Sequence, residues 1–110
     1  MLDWRTGKRR RLTDFRDTAA ALSRVKKELV RYARKDGVPL SGTLYLPPDW
    51  KPGTRLPAIV WAYPLEFSDS GTAGQVRGSS KTYTRPLAPS PIYFALHGYA
   101  VLNDATMPVV

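Results

Sequence analysis

Two stretches of the chain alternate between apolar and polar residues with a period of two. Residues 28–33 (ELVRYA) put Leu29, Arg31 and Ala33 on one face and Val30 and Tyr32 on the other. Residues 40–46 (LSGTLYL) put Leu40, Gly42, Leu44 and Leu46 against Ser41, Thr43 and Tyr45. This period predicts strands. The segment between them, RKDGVP, contains Asp36-Gly37, a strong hairpin signal. Pro47-Pro48 ends the second strand, because proline supplies no backbone donor.

A different pattern follows. Ala58 to Tyr63 is an unbroken apolar and aromatic run inside LPAIVWAYPLEF, and it stops at Pro64. It predicts a strand over residues 57–63 that is buried on both faces, as in parallel sheets covered by helices. In such sheets ligands bind beyond the carboxyl ends of the strands. Residues 64–91 predict a long irregular connection. Ser90-Pro91 then suits a helix N-cap and first position, residues 92–97 the turns, and Gly98 the C-terminal glycine. Residues 99–103 (YAVLN) predict another short strand. A strand–helix–strand crossover implies parallel pairing. Near the start, Thr6-Gly7-Lys8 predicts a turn between two short extended pieces, and Trp4, Leu12 and Phe15 call for something to cover them. Residues 17–24 (DTAAALSR) predict a short helix or turn.

Composition bounds the chemistry. One hundred and ten residues suit one domain and are too few to complete a doubly wound α/β enzyme. There is no cysteine, which excludes disulfides and thiolate metal sites, and a single histidine excludes a multi-histidine metal site. No metal or cofactor is expected. No apolar run approaches the length of a membrane span, so no membrane partner is expected. The first residues lack the apolar core of a secretory signal, which makes a cytoplasmic location the expectation.

Charge is unevenly placed. Residues 1–35 hold twelve Lys/Arg against four Asp/Glu, whereas residues 36–110 hold five of each. The basic third fits either an arm for nucleic acid or an acidic partner, or a solvated face. No nucleic-acid recognition motif accompanies it, so nucleic acid is the less favoured partner.

The sequence resembles a known family. YARKDGVPLSGTLYLPP fits the pattern of the first two strands of the catalytic domain in prolyl oligopeptidase-family serine peptidases. WAYPLEF and AGQVRGSS resemble a narrower, glutamyl-endopeptidase-like branch, and GKRRRLTDFRD resembles the last strands of the β-propeller that precedes the hydrolase domain. The resemblance implies an α/β fold class. The chain would be an incomplete α/β-hydrolase sheet, with an N-terminal hairpin plus a strand–helix–strand crossover, preceded by a short β segment from a propeller. The implied layout is a propeller remnant over residues 1–16, a linker over 17–27 and a truncated hydrolase domain over 28–110. Implied partners are a peptide substrate and the remaining hydrolase and propeller domains.

The chemistry of that family can be sought residue by residue. Serine acyl transfer uses a nucleophile in G-x-S-x-G, followed by Asp and His. No G-x-S-x-G occurs here, so this chain by itself is expected to be inactive. His97, the lone histidine, lies before Gly98, where histidine commonly complements a helix dipole. Tyr63 stands where the resemblance places an oxyanion-hole hydroxyl; its other reading is a strand-closing residue with a hydrated hydroxyl. Arg77, in GQVRGSS, is the candidate for binding a substrate glutamate side chain; its other reading is a loop arginine paired with Glu66 or Asp69.

Overall fold

The two alternating stretches form the expected hairpin. β1 (Lys26–Ala33) pairs antiparallel with β2 (Pro39–Leu46), from Lys26 opposite Leu46 to Ala33 opposite Pro39. Gly37 closes the turn at φ 86°, a conformation that a Cβ would strain. Arg34 and Asp36 brace it through a fork of contacts between 2.6 and 3.0 Å. β1 is longer at the linker end than its sequence alternation indicates, because Lys26 and Lys27 continue the ladder opposite Leu46 and Tyr45, and β2 gains Pro39 at the turn.

The computed structural model of the chain describes residues 2–66, 69–76, 78–86 and 89–109. Two further strands complete a four-stranded mixed sheet: β3 (Ala58–Glu66) and β4 (Ala100–Val109), in the order β1-β2-β4-β3. β3 and β4 are parallel, as the crossover implies, and β4 is antiparallel to β2. The fold is thus α/β-like with few helices. One helical turn, α1 (Ser70–Ala73), interrupts the connection after β3, and Asp69 caps it through the Thr72 amide and hydroxyl, both at 2.8 Å.

The helix before β4 begins and ends where expected. Ser90 accepts from the Ile92 amide, Pro91 opens the helix, and Gly98 ends it at φ 87°. It is a 3-10 helix over Pro91–His97. With the short 3-10 helix Leu22–Arg24, it covers one face of the sheet. There Leu22, Val25, Tyr45, Ile92, Ala95 and Val101 form the core, flanked by Ala19 and Leu96. Each fully buried aliphatic side chain of this kind contributes roughly 1.5–3 kcal/mol.

Two strand expectations need correction. β3 is not buried on both faces: Val60 is 63% exposed and Trp61 47%. The strand order leaves it at the sheet edge, with β4 as its one neighbour among the described residues. The edge position also explains why β3 runs through Pro64 to Glu66, since an edge strand tolerates a residue without an N–H. β4 likewise extends well beyond Asn103. The register slips between Val60 and Ala62 of β3, so Asn103 and Asp104 together oppose Trp61, and Asp104 takes φ 52°. This β-bulge absorbs the polar pair and lets the strand resume.

The other sheet face is apolar and more open. Leu102 lies against Gly42, where an added Cβ would meet the leucine Cδ1 at 2.9 Å. Tyr32, Leu40, Val60 and Met107 line a shallow hollow beside it. At the N-terminus the turn is present, closed by Gly7 N–H donating to the Asp3 carbonyl at 2.8 Å, with one bridge between Leu2 and Arg9. The cover expected over this segment is not found among the described residues: Trp4 is 87% exposed and Phe15 85%.

Candidate functional site

The bulge organises the part of the sheet where the candidate residues lie. Beyond it, β2 and β4 no longer exchange regular ladder bonds; their pairing covers Thr43–Asn103 through Tyr45–Val101. The Thr106 hydroxyl takes over. It accepts from the Ser41 amide at 2.8 Å and donates to the Ser41 carbonyl at 3.0 Å. A side chain thereby satisfies two backbone groups of a residue that is 3% exposed. Arg34 fastens the far end of β4 by donating to the Pro108 carbonyl at 2.8 Å.

Tyr63 sits directly opposite Thr106 in the parallel pair. Ile59 is opposite the core residue Val101, so the two-residue period puts Ile59, Trp61 and Tyr63 on the core-side face and Val60 and Ala62 on the open face. Tyr63 is 74% exposed. Its side chain is thus free to donate to a ligand, and it is held in place through its backbone rather than by packing. The strand continues three residues past it, so Tyr63 does not terminate the strand as expected.

Arg77 lies outside the described residues. Val76 and Gly78 on either side of it line a cavity of about 350 Å3 on the core-side face. Gly78 is pressed onto the sheet: a Cβ there would lie 2.8 Å from Thr43 Oγ1 and 3.1 Å from Leu29 Cδ1. His97 is exposed in the last turn of its 3-10 helix, as the helix-end reading expects, and no other described candidate is brought to it. Among the described residues no cluster of His, Cys, Asp or Glu could hold a metal ion, and no helix is long and apolar enough to cross a membrane.

The same cavity contains residues that pattern analysis passed over. Lys27 Nζ donates to the Thr82 carbonyl at 3.0 Å and to its hydroxyl at 2.9 Å, and lies 5.7 Å from the Tyr45 ring centre. These contacts tie the long connection to β1. Tyr45 has its phenol pushed up from the ordinary value of 10.0, first by burial; the nearby Asp104 charge adds to this, and a hydrogen bond with Thr84 opposes it. Asn103 and Asp104 also line the cavity, with the amide of Asn103 donating to the Asp104 carboxylate at 2.9 Å. The available signal in the sequence was that Asn-Asp pair, two turn-forming residues within an apolar strand.

Comparison with known proteins gives the site a context. The chain is 42% identical over 109 residues to a protein of Oryza sativa subsp. japonica named probable glutamyl endopeptidase, chloroplastic. It is 38% identical over 109 residues to a protein of the same name from Arabidopsis thaliana. It has peptidase-like relatives. The matches take in 97% of this chain but only 12% and 11% of those proteins' own lengths. No family model matches the chain, and no solved structure does.

Proposed function

We propose that this chain is the opening portion of the catalytic domain of a serine-type peptidase of the prolyl oligopeptidase family, in its glutamyl-endopeptidase-like branch. The observation that carries the reading is identity to two proteins named glutamyl endopeptidases along nearly the whole chain. The mixed sheet supports it: an antiparallel hairpin followed by a parallel crossover pair is a reasonable beginning for an α/β-hydrolase sheet. Residues 1–16 are then propeller strands and residues 17–27 the linker.

In this reading Tyr63 donates its phenolic hydrogen to the oxyanion of the tetrahedral intermediate. A phenol suits that task because it is neutral near pH 7 and is a good donor. Tyr63 is 74% exposed, which leaves its hydroxyl open to an arriving substrate carbonyl. Arg77 pairs with the glutamate carboxylate on the amino side of the scissile bond. These 110 residues hold no G-x-S-x-G, so the nucleophile belongs to chain outside them, and the piece by itself is silent.

The test uses a complete peptidase carrying this stretch. Tyr63→Phe lowers kcat by roughly 100- to 1,000-fold with little change in KM, the loss expected for one oxyanion donor. Unchanged kcat removes Tyr63 from the mechanism. Arg77→Ala abolishes the preference for glutamate over glutamine; an unaltered preference rejects its role. A fluorophosphonate probe leaves the 110-residue chain unlabelled.

A second reading rests on a separate observation. Trp4 and Phe15 are almost fully exposed among the cations of the first 35 residues, which suits contact with nucleic acid or an acidic partner. Salt-dependent binding of oligonucleotides by the chain supports it, and no binding at low salt rejects it.

A further inference from the structure

Tyr63 stands on a part of the sheet that the backbone ladder alone holds poorly. β2 and β4 pair only from Thr43–Asn103 to Tyr45–Val101. Past the bulge, residues 105–109 of β4 pair with residues 62–66 of β3. β3 has no second neighbour among the described residues. Two strands joined only to each other are marginal in water. An oxyanion donor tolerates little of that freedom. Its hydroxyl must meet the developing charge at about 2.7–3.1 Å, and a misplacement of about 1 Å costs on the order of 100-fold in rate. Tyr63 is 74% exposed, so packing around its ring does not supply the missing rigidity.

Side-chain bonds to the hairpin supply it. Thr106, directly opposite Tyr63, accepts from the Ser41 amide at 2.8 Å and donates to the Ser41 carbonyl at 3.0 Å. The Thr106 carbonyl accepts from the Tyr32 hydroxyl at 3.4 Å. Two positions on, Pro108 is opposite Leu65, and its carbonyl accepts from Arg34 Nη1 at 2.8 Å. Asp36 holds the same guanidinium through Nε and Nη2. The anchors of β4 thus fall at the register position of Tyr63 and two residues beyond it. Ser41 is 3% exposed, which shelters the Thr106 bonds from competing water.

The bulge selects the residue that takes this place. Continued unbroken from Val60–Leu102, the register would set Ala105 opposite Tyr63, and alanine offers no hydroxyl. The extra residue at Asn103-Asp104 advances β4 by one and brings Thr106 there instead. We infer that Thr106 is a positioning residue for Tyr63, with Arg34 as a second anchor. Together they lock the β3–β4 edge to the hairpin, so that the phenol is fixed before substrate arrives. The inference rests on the oxyanion role proposed for Tyr63. It adds two residues that act through the backbone rather than on the substrate.

The experiment is a double-mutant cycle in a complete peptidase carrying this stretch, read by hydrolysis of N-acetyl-Ala-Ala-Glu p-nitroanilide. Melting curves establish that each variant is folded at the assay temperature. Thr106→Val lowers kcat by roughly 10- to 100-fold and leaves KM nearly unchanged. Thr106→Ser keeps the hydroxyl and stays within roughly threefold of the parent. In a Tyr63→Phe background, Thr106→Val costs less than about twofold more, because the donor it positions is gone. Arg34→Met follows the same pattern with a smaller loss, roughly 3- to 10-fold, and decides alone if Thr106→Val fails to fold. Equal losses with Tyr63 present and absent show a merely structural role and overturn the inference while the oxyanion reading stands. Unchanged kcat in Thr106→Val, or a Thr106→Ser variant as slow as Thr106→Val, does the same. Unchanged kcat in Tyr63→Phe overturns both.

Discussion

Thr106 shows how much one hydroxyl can organise. It serves both the amide and the carbonyl of Ser41, where the bulge has interrupted the ladder between β2 and β4. Thr106→Val keeps the shape and removes both bonds. Two buried backbone groups then lose their partner, and stability in urea falls by roughly 1–3 kcal/mol. Thr106→Ser retains the hydroxyl and recovers most of that loss. Asp104 makes the complementary case. Its φ of 52° is easy for glycine and hard for a β-branched residue. Asp104→Val therefore destabilises by roughly 1–3 kcal/mol, whereas Asp104→Gly is tolerated. Thermal melts of the two variants against the parent check this.

At the scale of elements, the hairpin carries a pH signature. The Arg34 guanidinium hydrogen-bonds the Asp36 carboxylate and holds its pKa at about 2, below the ordinary 3.8; the Val38 amide adds to the effect. The folded value lies below the unfolded one. The stabilising contribution is therefore complete above pH 3.8 and is lost as pH falls through about 2. The pair is solvent-exposed, so the effect is small and weakens with salt. Asp36→Asn flattens this part of the stability–pH curve, and its difference from the parent disappears toward pH 2. Carbon NMR of the Asp36 carboxyl in Arg34→Ala shows the pKa returning toward its ordinary value. The hairpin and the capped 3-10 helix were legible in the sequence, because Asp36-Gly37, Ser90-Pro91 and Gly98 act through their own backbones. The fate of the run from Ala58 to Tyr63 was not legible. An apolar run specifies a strand, but its neighbours in space determine which of its faces is covered.

At the scale of the molecule, the N-terminal segment and the sheet are separate matters energetically. The core comprises Leu22, Val25, Tyr45, Ile92, Ala95 and Val101, with none of residues 2–16 among them. Trp4, Leu12 and Phe15 are 87%, 61% and 85% exposed. Deleting residues 2–16 is therefore expected to change stability by no more than about 0.5 kcal/mol while removing much of the positive charge. Calorimetry of the shortened chain checks the first part. A large drop in melting temperature shows instead that the arm packs on the sheet in solution.

Local patterns determined the hairpin, the helix caps and the turn at Gly7, since each depends on residues within a few positions of one another, and the order of strand, helix and strand implied the parallel crossover. Sequence similarity alone pointed to peptidase relatives, and Tyr63 and Arg77 remain proposals resting on it. Only the tertiary structure decided that β4 lies inside the sheet with β3 at its edge, that a bulge at Asn103-Asp104 lengthens β4, and that Thr106 replaces a ladder bond at Ser41. It alone also brought Lys27, Thr82, Arg85 and Asn103 around one cavity. Those outcomes join residues from 55 to 74 positions apart, as in the Lys27–Thr82, Ser41–Thr106 and Arg34–Pro108 contacts. Distances of that kind are set by how the faces pack, and no short-range period records them.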